Sequence, residues 1–571
     1  MNLNEVFNPL FWRKDNQAFM DGWQFSFDNK SWQAINVPFC PQSKLSGIGY
    51  TDFIYECFYK KNFTHKTDKS ERVLLHFGAV DYRANVYVNG KFVGAHVGGY
   101  TPFVLDITSY IQEGENEVFL AVQDNETACA YGKQSYKPHS FGCFYTRTTG
   151  IWQPVWLEFV PQNRVKEFYF YPHVEESSVD LDLVTTGVGK YDIKVYLEGK
   201  QVGSAQGEIA YRKTIQIPLS EKKTWEVGEG NLYDVSIVYE KDEVSTYFGL
   251  REVKYEGYKF LVNGKETYQK LTLDQGFYPD GIYTAPSVEA LERDIDICLD
   301  LGFNGARLHQ KIFDPRFLYL ADKKGYMVWG EHASWGVDYS DMNCIGQFLA
   351  EWQEAVKRDF NHPSIITWCP LNEVWDSWEE AGKRRDVRTV DAVYQFAKLL
   401  DTTRPCVDTS GGHHGHATDL YDFHCYEPLD VVKRCLDEIQ NEDKMEVNLL
   451  YRKDENLKYP KGAPVNISEY GGIAFGFRGA GGSETETVNE GAVQKEEGWG
   501  YGKGESSGAA FVKRYKALTE LIFKYDKVSG FCYTQLYDVE QEQNGLYYYD
   551  RTDKLTEEEK EQIRQINALK K

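Results

Sequence analysis

The stretch SIITWCPLNEVW, residues 364–375, joins a buried strand to a carboxylate. Ser364-Ile365-Ile366-Thr367-Trp368 is a short, nearly continuous apolar run, the pattern of a strand covered on both faces. Glu373 follows just where that strand should end. A buried, unpaired carboxylate is costly, or it shifts its pKa upward until it is neutral. Glu373 is therefore either neutralised by a structural partner or placed for chemistry.

Working outward from this strand, helical and strand patterns alternate through 256–571. Strand candidates are Leu271 to Leu273, Phe303 to Leu308, Tyr326 to Gly330, Ser364 to Leu371, Pro405 to Thr409, Leu420 to Cys425, Pro464 to Ser468 and Ser529 to Thr534. Helix-length stretches such as Ser287 to Leu301 and Val390 to Leu400 lie between most of them. Alternation of this kind fits a closed (β/α)8 TIM barrel. A doubly wound open sheet fits less well, because no Gly-x-Gly-x-x-Gly follows the first strand.

The chain ahead of the barrel is strand-rich. Residues 1–160 contain Val73 to Phe77, the Asn89-Gly90 turn between two apolar runs, and the alternating Val118, Leu120 and Val122. These predict a jelly-roll-like β-sandwich. Residues 161–255 alternate again at Ile193, Val195, Leu197 and at Tyr233, Val235, Ile237, Tyr239. That length suits an immunoglobulin-like sandwich, here without cysteine for an inter-sheet disulfide.

Composition narrows the partners. A net charge of −22 disfavours nucleic acid and anionic membranes, and leaves a sugar acceptable. No run approaches a membrane span, and Met1 to Glu5 shows no basic-then-apolar leader, so a cytoplasmic protein is expected. The 11 cysteines are scattered and never spaced C-x-x-C, as free thiols in a reducing compartment would be. A homo-oligomer is compatible with all of this.

In a (β/α)8 barrel the chemistry sits at the C-terminal ends of the strands. Glu373 follows the fourth candidate strand and Glu469, in NISEYGG (466–472), follows the seventh. Strands four and seven face each other, so both carboxylates can enter one mouth. Two facing carboxyl groups are what glycoside hydrolysis requires. Either residue alone reads equally well as half of an ion pair with a nearby Arg; the pair together makes that reading weaker.

Four longer segments carry a resemblance. NHPSIITWCPLNEVW (361–375), PVNISEYGG (464–472), LGFNGARLHQKIFDPRFLYLADKKGYMVWGE (301–331) and VYVNGKFVGAHVGGYTPFVLDIT (86–108) resemble glycoside hydrolase family 2, the family of β-galactosidases, β-glucuronidases and β-mannosidases. The resemblance spans nearly the whole chain, with three domains in the family order. It implies a retaining enzyme with Glu373 as acid/base and Glu469 as nucleophile. It further implies that Asn372 holds the sugar 2-hydroxyl, that Tyr426 in HCYEP bonds the nucleophile, and that Arg307 and His309 form a basic cluster in which Arg307 keeps Glu469 ionised.

Departures bear on the sugar. Tyr537 in YTQLYDVEQ stands where relatives commonly have Trp. The Asn-x-Lys pair that glucuronidases use on the sugar carboxylate is not found. LTLDQGFYPDG (271–281) differs from well-known β-galactosidases and offers Asp280 among its sugar-reading candidates. The expectation is an exo-acting β-glycosidase on a neutral β-glycoside, β-galactoside first. The rivals are a transglycosylase with the same residues and a non-catalytic carbohydrate-binding protein.

No cofactor and no metal are expected. His413, His414 and His416 with Asp419 lack a helical zinc spacing. Trp375, just past Glu373, is a stacking candidate, whereas Trp368 reads as packing. The Gly- and Glu-rich segment 476–508 is read as a loop over the barrel mouth, with Trp499 and Tyr501 closing on the sugar. Its composition suits a surface insertion equally well.

Overall fold

A computed structural model of the chain describes residues 2–66, 71–125, 129–374, 377–378, 383–384, 387–445, 459–477, 493–495 and 498–571. The N-terminal sandwich packs two antiparallel sheets. One is ordered Gln17–Ala18, Val155–Pro161, Glu71–Phe77, Phe103–Asp106; the other is built around Glu56–His65, Gly114–Gln123, Arg83–Val88 and Lys91–Val97. The alternation read from the sequence is the inward face: Val118, Leu120 and Val122 are buried with Val86, Val88 and Leu75. In the second sandwich, Ser178–Leu197 pairs with Val165–His173 along its first half and with Tyr233–Tyr239 along its second. Its core includes Ile193, Val195, Leu197, Val235 and Ile237.

The third unit is the barrel. Seven parallel strands lie in the order Ile365–Cys369, Met327–Glu331, Gly305–Leu308, Gln269–Asp274, Val528–Thr534, Val465–Gly471, Tyr421–Cys425. The expected fifth strand, Pro405 to Thr409, is reduced to a single bridge between Trp368 and Cys406. It is held by Trp368 N–H to Pro405 O and Val407 N–H to Trp368 O, both 3.0 Å. The chain then turns away, and Ser410–Gly412 pairs with Asn372–Val374 at the barrel mouth. Gly412 makes this possible. Its φ is +66°, and a Cβ there would lie 2.9 Å from the Cα of Glu373. The intervening helices begin with side-chain caps, among them Ser287, Asp314, Asp341, Ser507 and Thr556, the last in a capping box with Glu559.

All 11 cysteines are buried and free. Among the described residues, no helix is long and apolar enough to cross a membrane.

Arg13 ties the two sandwiches together. Its Nη1 donates to Glu158 at 3.0 Å, its Nε to Asp242 at 2.8 Å and its Nη2 to Val165 O at 2.9 Å. All three charged groups are buried. Arg13→Met would leave Glu158 with His76 and Asp242 with the Val165 N–H but neither with its guanidinium, and breaking a buried ion pair costs about 3–5 kcal/mol. The variant should therefore show a clearly lower urea midpoint; an unchanged midpoint would show that the contact carries no stability.

Candidate active site

Arg307, on the second barrel strand, is fully buried and sends its donors in three directions. Nε reaches Glu331 Oε2 at 2.6 Å, Nη1 reaches Glu469 Oε1 at 2.7 Å and Ser468 O at 3.2 Å, and Nη2 bonds Asn372 Oδ1. Burial works against its charge, but the adjacent Glu331 and Glu469 more than offset it and raise its pKa. His309 Nδ1 lies 3.1 Å from Arg307 Nη2 and 3.0 Å from Glu331 Oε1. Burial, with Arg307 and Lys133 nearby, holds that imidazole neutral.

Glu469 ends the seventh strand with Oε1 on Arg307 and Oε2 on the Tyr426 hydroxyl. Burial pushes its pKa up, yet His424, Arg307 and the Tyr426 hydrogen bond prevail and hold it at about 2. It is a carboxylate at neutral pH. Glu373 follows the fourth strand with φ of +47°, a left-handed conformation that is strained for Glu and is often stored at functional sites. Asn372, beside it, gives its amide oxygen to Arg307. Arg is a donor only, so this fixes the amide orientation and leaves Nδ2 as a buried donor with no partner among the described residues.

His424 joins the two carboxyl groups. Its Nδ1 is 2.8 Å from Glu373 Oε1 and 3.4 Å from Glu469 Oε2, and its Nε2 is 3.0 Å from Ser410 Oγ. Burial opposes its charge, but Glu469 and Glu373 outweigh burial and raise its pKa. One ligand atom from each of Glu373, His424 and Glu469 lies within 4.8 Å of the others. Such a set could hold a metal ion if the ring were neutral; with the ring protonated, the two carboxyl groups share its proton instead.

An aromatic wall continues from Glu469. Tyr501 stacks face to face on Tyr426 at 3.6 Å, Trp499 packs edge-on against Tyr501, and the Trp499 indole donates to Gly142 O at 2.6 Å. Gly142 belongs to a loop that the N-terminal sandwich extends into the barrel mouth. Trp499 and Tyr501 are thus packed in place as a wall, against Tyr426 and the loop of the N-terminal sandwich. Residues 478–492 and 496–497 of that segment, and Trp375, lie outside the described residues.

The structure brings together Glu373, Glu469, Asn372, Tyr426, Arg307 and His309. Two other candidates make their contacts elsewhere. Asp280 is exposed and pairs with Lys44 of the N-terminal sandwich at 3.2 Å, because its turn lies at the domain boundary. Tyr537 bonds Asp274 through its hydroxyl and lies under the Arg551 guanidinium at 3.6 Å, so it fastens the eighth strand's end to the first. His414, in the His-rich loop, uses both nitrogens on Asp408 and Asp422 O. Sequence reasoning passed over Glu331 and His424. Both end barrel strands, the same signal that picked out Glu373.

Comparison with known proteins matches this architecture part by part. Residues 49–159 match the sugar binding domain of glycosyl hydrolases family 2, residues 163–251 match the family's central domain model, and residues 253–567 match its TIM barrel domain. The chain belongs to glycosyl hydrolase family 2. A β-galactosidase of Thermoanaerobacter pseudethanolicus is 29% identical over 410 residues, which is 67% of this chain and 53% of that protein. A putative β-glucuronidase of Formosa agariphila is 24% identical over 433 residues, 69% of this chain and 50% of that protein. The chain thus spans about half the length of the curated relatives it matches. Among solved structures, a β-glucuronidase from Ruminococcus gnavus superposes with TM-score 0.77 at 18% identity, covering 98% of this chain and 99% of that one. A β-galacturonidase from Eisenbergiella tayi superposes with TM-score 0.75 at 20% identity, covering 98% and 99%. These two share the family 2 fold.

His424 supplies the pH prediction. Its positive charge is the strongest of the influences that lower Glu469. In His424→Asn that charge is gone, so the Glu469 pKa rises and activity fails at a higher pH on acidification. The acid limb of kcat/KM should move up by about half a unit or more, as loss of a cation beside a carboxylate requires. An unmoved limb would mean that His424 is not charged.

Proposed function

We propose that the chain is an exo-acting, retaining β-glycosidase that hydrolyses O-glycosidic bonds by double displacement. The observation that carries this reading is the approach of the two carboxyl groups, with oxygens within 4.8 Å of each other. An inverting enzyme needs about 6.5 Å or more to seat a water between them. Glu469, ionised and held through both oxygens, attacks the anomeric carbon. Glu373 gives its proton to the departing oxygen, then takes one from the water that releases the sugar from Glu469. The free Nδ2 of Asn372 is placed to bond the 2-hydroxyl, an interaction that strengthens as positive charge develops on the ring. The loop from the N-terminal sandwich walls one side of the mouth, which favours a pocket for a chain end.

The sugar is a finer matter. The neutral β-galactoside expected from the sequence has support from relatives named β-galactosidase, and proteins named β-glucuronidase stand beside them at similar identity. A transglycosylase would use the same residues with a sugar acceptor in place of water. The non-catalytic reading has less support, because every group the two steps need is present and connected.

Product stereochemistry is the test. Proton NMR of an early digest of an aryl β-glycoside should show the β-anomer first; the α-anomer first would contradict the double displacement. Glu469→Gln should remove turnover. Glu373→Ala should keep activity only on aryl groups that leave without protonation, and azide should raise its rate and give a β-glycosyl azide. A Glu469→Gln enzyme with near-normal rates would overturn the assignment.

A further inference from the structure

The His-rich loop after the expected fifth strand has no part in the two steps, yet it is built around one imidazole. His414, Asp408 and Asp422 are all buried. His414 Nδ1 lies 2.9 Å from Asp408 Oδ1, and its Nε2 lies 2.7 Å from Asp422 O. A carbonyl oxygen can only accept, so Nε2 carries a hydrogen. Asp408, as a carboxylate, accepts through both oxygens, the second from Gly415 N–H at 2.6 Å, and so draws a hydrogen onto Nδ1 as well. The ring is then an imidazolium. Burial works against that charge, but Asp408 and Asp422 outweigh burial and raise the His414 pKa to about 9. The Tyr421 ring lies 4.7 Å from it, and Asp391, on the helix Val387–Leu400, pairs with the neighbouring His416 at 2.7 Å.

This imidazolium closes a gap in the barrel wall. The fifth strand is a single bridge, so the sixth, Tyr421–Cys425, ends the sheet. Tyr421 N–H donates to Pro464 O at the start of the seventh strand, so the carbonyl of the next residue, Asp422, faces the missing fifth. His414 supplies the donor that a full fifth strand would have supplied. Asp422 Oδ1 meanwhile accepts from Gly411 N–H at 2.6 Å. The same loop reaches the mouth: Ser410 N–H donates to Leu371 O and His413 N–H to Val374 O, both at 2.8 Å. Ser410 Oγ lies 3.0 Å from His424 Nε2 and 2.9 Å from Ser468 Oγ. Glu469 has supports of its own, Arg307 on one oxygen and Tyr426 on the other. Glu373 depends on the loop, because its carboxyl rests on His424 and its flanking residues pair with Ser410 and Gly412.

We infer that His414 is a positioning residue for proton transfer to the leaving oxygen: its imidazolium, set between Asp408 and the Asp422 carbonyl, holds the loop that places His424 and Glu373. The inference rests on the β-glycosidase reading and adds to it a residue that acts through Ser410 and His424. Its loss should therefore harm the proton donor and spare the attack by Glu469.

The test compares phenyl and 2,4-dinitrophenyl β-glycosides, as galactosides, glucosides and glucuronides, on the full chain and on His414→Leu and His414→Gln. Phenolate leaves poorly and needs the Glu373 proton, whereas dinitrophenolate leaves without it. The ratio kcat/KM reports the step in which the sugar passes to Glu469. For the sugar that the full chain turns over, His414→Leu should lower kcat/KM about 30-fold or more on the phenyl glycoside and less than about threefold on the dinitrophenyl glycoside. His414→Gln keeps one donor without the charge. It should show a smaller loss with the same bias, and it decides the matter if the Leu variant does not fold. Equal losses on both leaving groups, or no loss in a folded variant, would overturn the inference, since a merely structural histidine lowers both together. If the full chain cleaves none of these glycosides, the β-glycosidase reading itself fails and this inference with it.

Discussion

One buried guanidinium organises the mouth of the barrel. Arg307 touches Glu331, Glu469, His309 and Asn372 from a position without solvent. A buried cation must be surrounded by acceptors, so its neighbours have little freedom. Glu469 is held as a carboxylate with one oxygen committed. Asn372 is oriented with its donor free. The rest of the site follows from this. Tyr426 takes the other oxygen of Glu469, and Tyr501 stacks on Tyr426. His424 then bridges to Glu373, which a strained backbone and the close approach of Gly412 bring to the required place.

The second constraint is that the site is not complete within the barrel. Trp499 and Tyr145 are anchored across the domain boundary, one by Gly142 of the sandwich and the other by Glu542 of the barrel. Such contacts convert the N-terminal sandwich from an appended module into part of the pocket wall. Arg13 then makes the two sandwiches one support.

The barrel was legible because its strands alternate with helix-length stretches and because a carboxylate at a strand end is an anomaly. Glu373 and Glu469 stood out for that reason, and the family motifs around them gave roles to Asn372, Tyr426 and Arg307. The fifth strand was drawn too long, since an apolar run does not reveal that Gly411 and Gly412 turn the chain toward Glu373. Tyr537 and Asp280 were chosen by position in a motif, but their partners, Asp274 and Lys44, are set by packing. The bridging place of His424 left no signal of its own. Its position between Glu373 and Glu469 brings together residues far apart along the chain, and spacing within a sequence cannot report a contact of that kind.

The central claim is that Glu469 is the nucleophile of a covalent intermediate. A 2-deoxy-2-fluoro aryl glycoside of the sugar that the enzyme turns over would slow release of that intermediate and allow it to be trapped. Mass spectrometry of the trapped chain should show one fluoro-sugar per molecule, and digestion should place it on the peptide containing Val465–Gly471, at Glu469. A label on any other residue, or steady turnover of the parent glycoside with no adduct ever accumulating, would contradict the account.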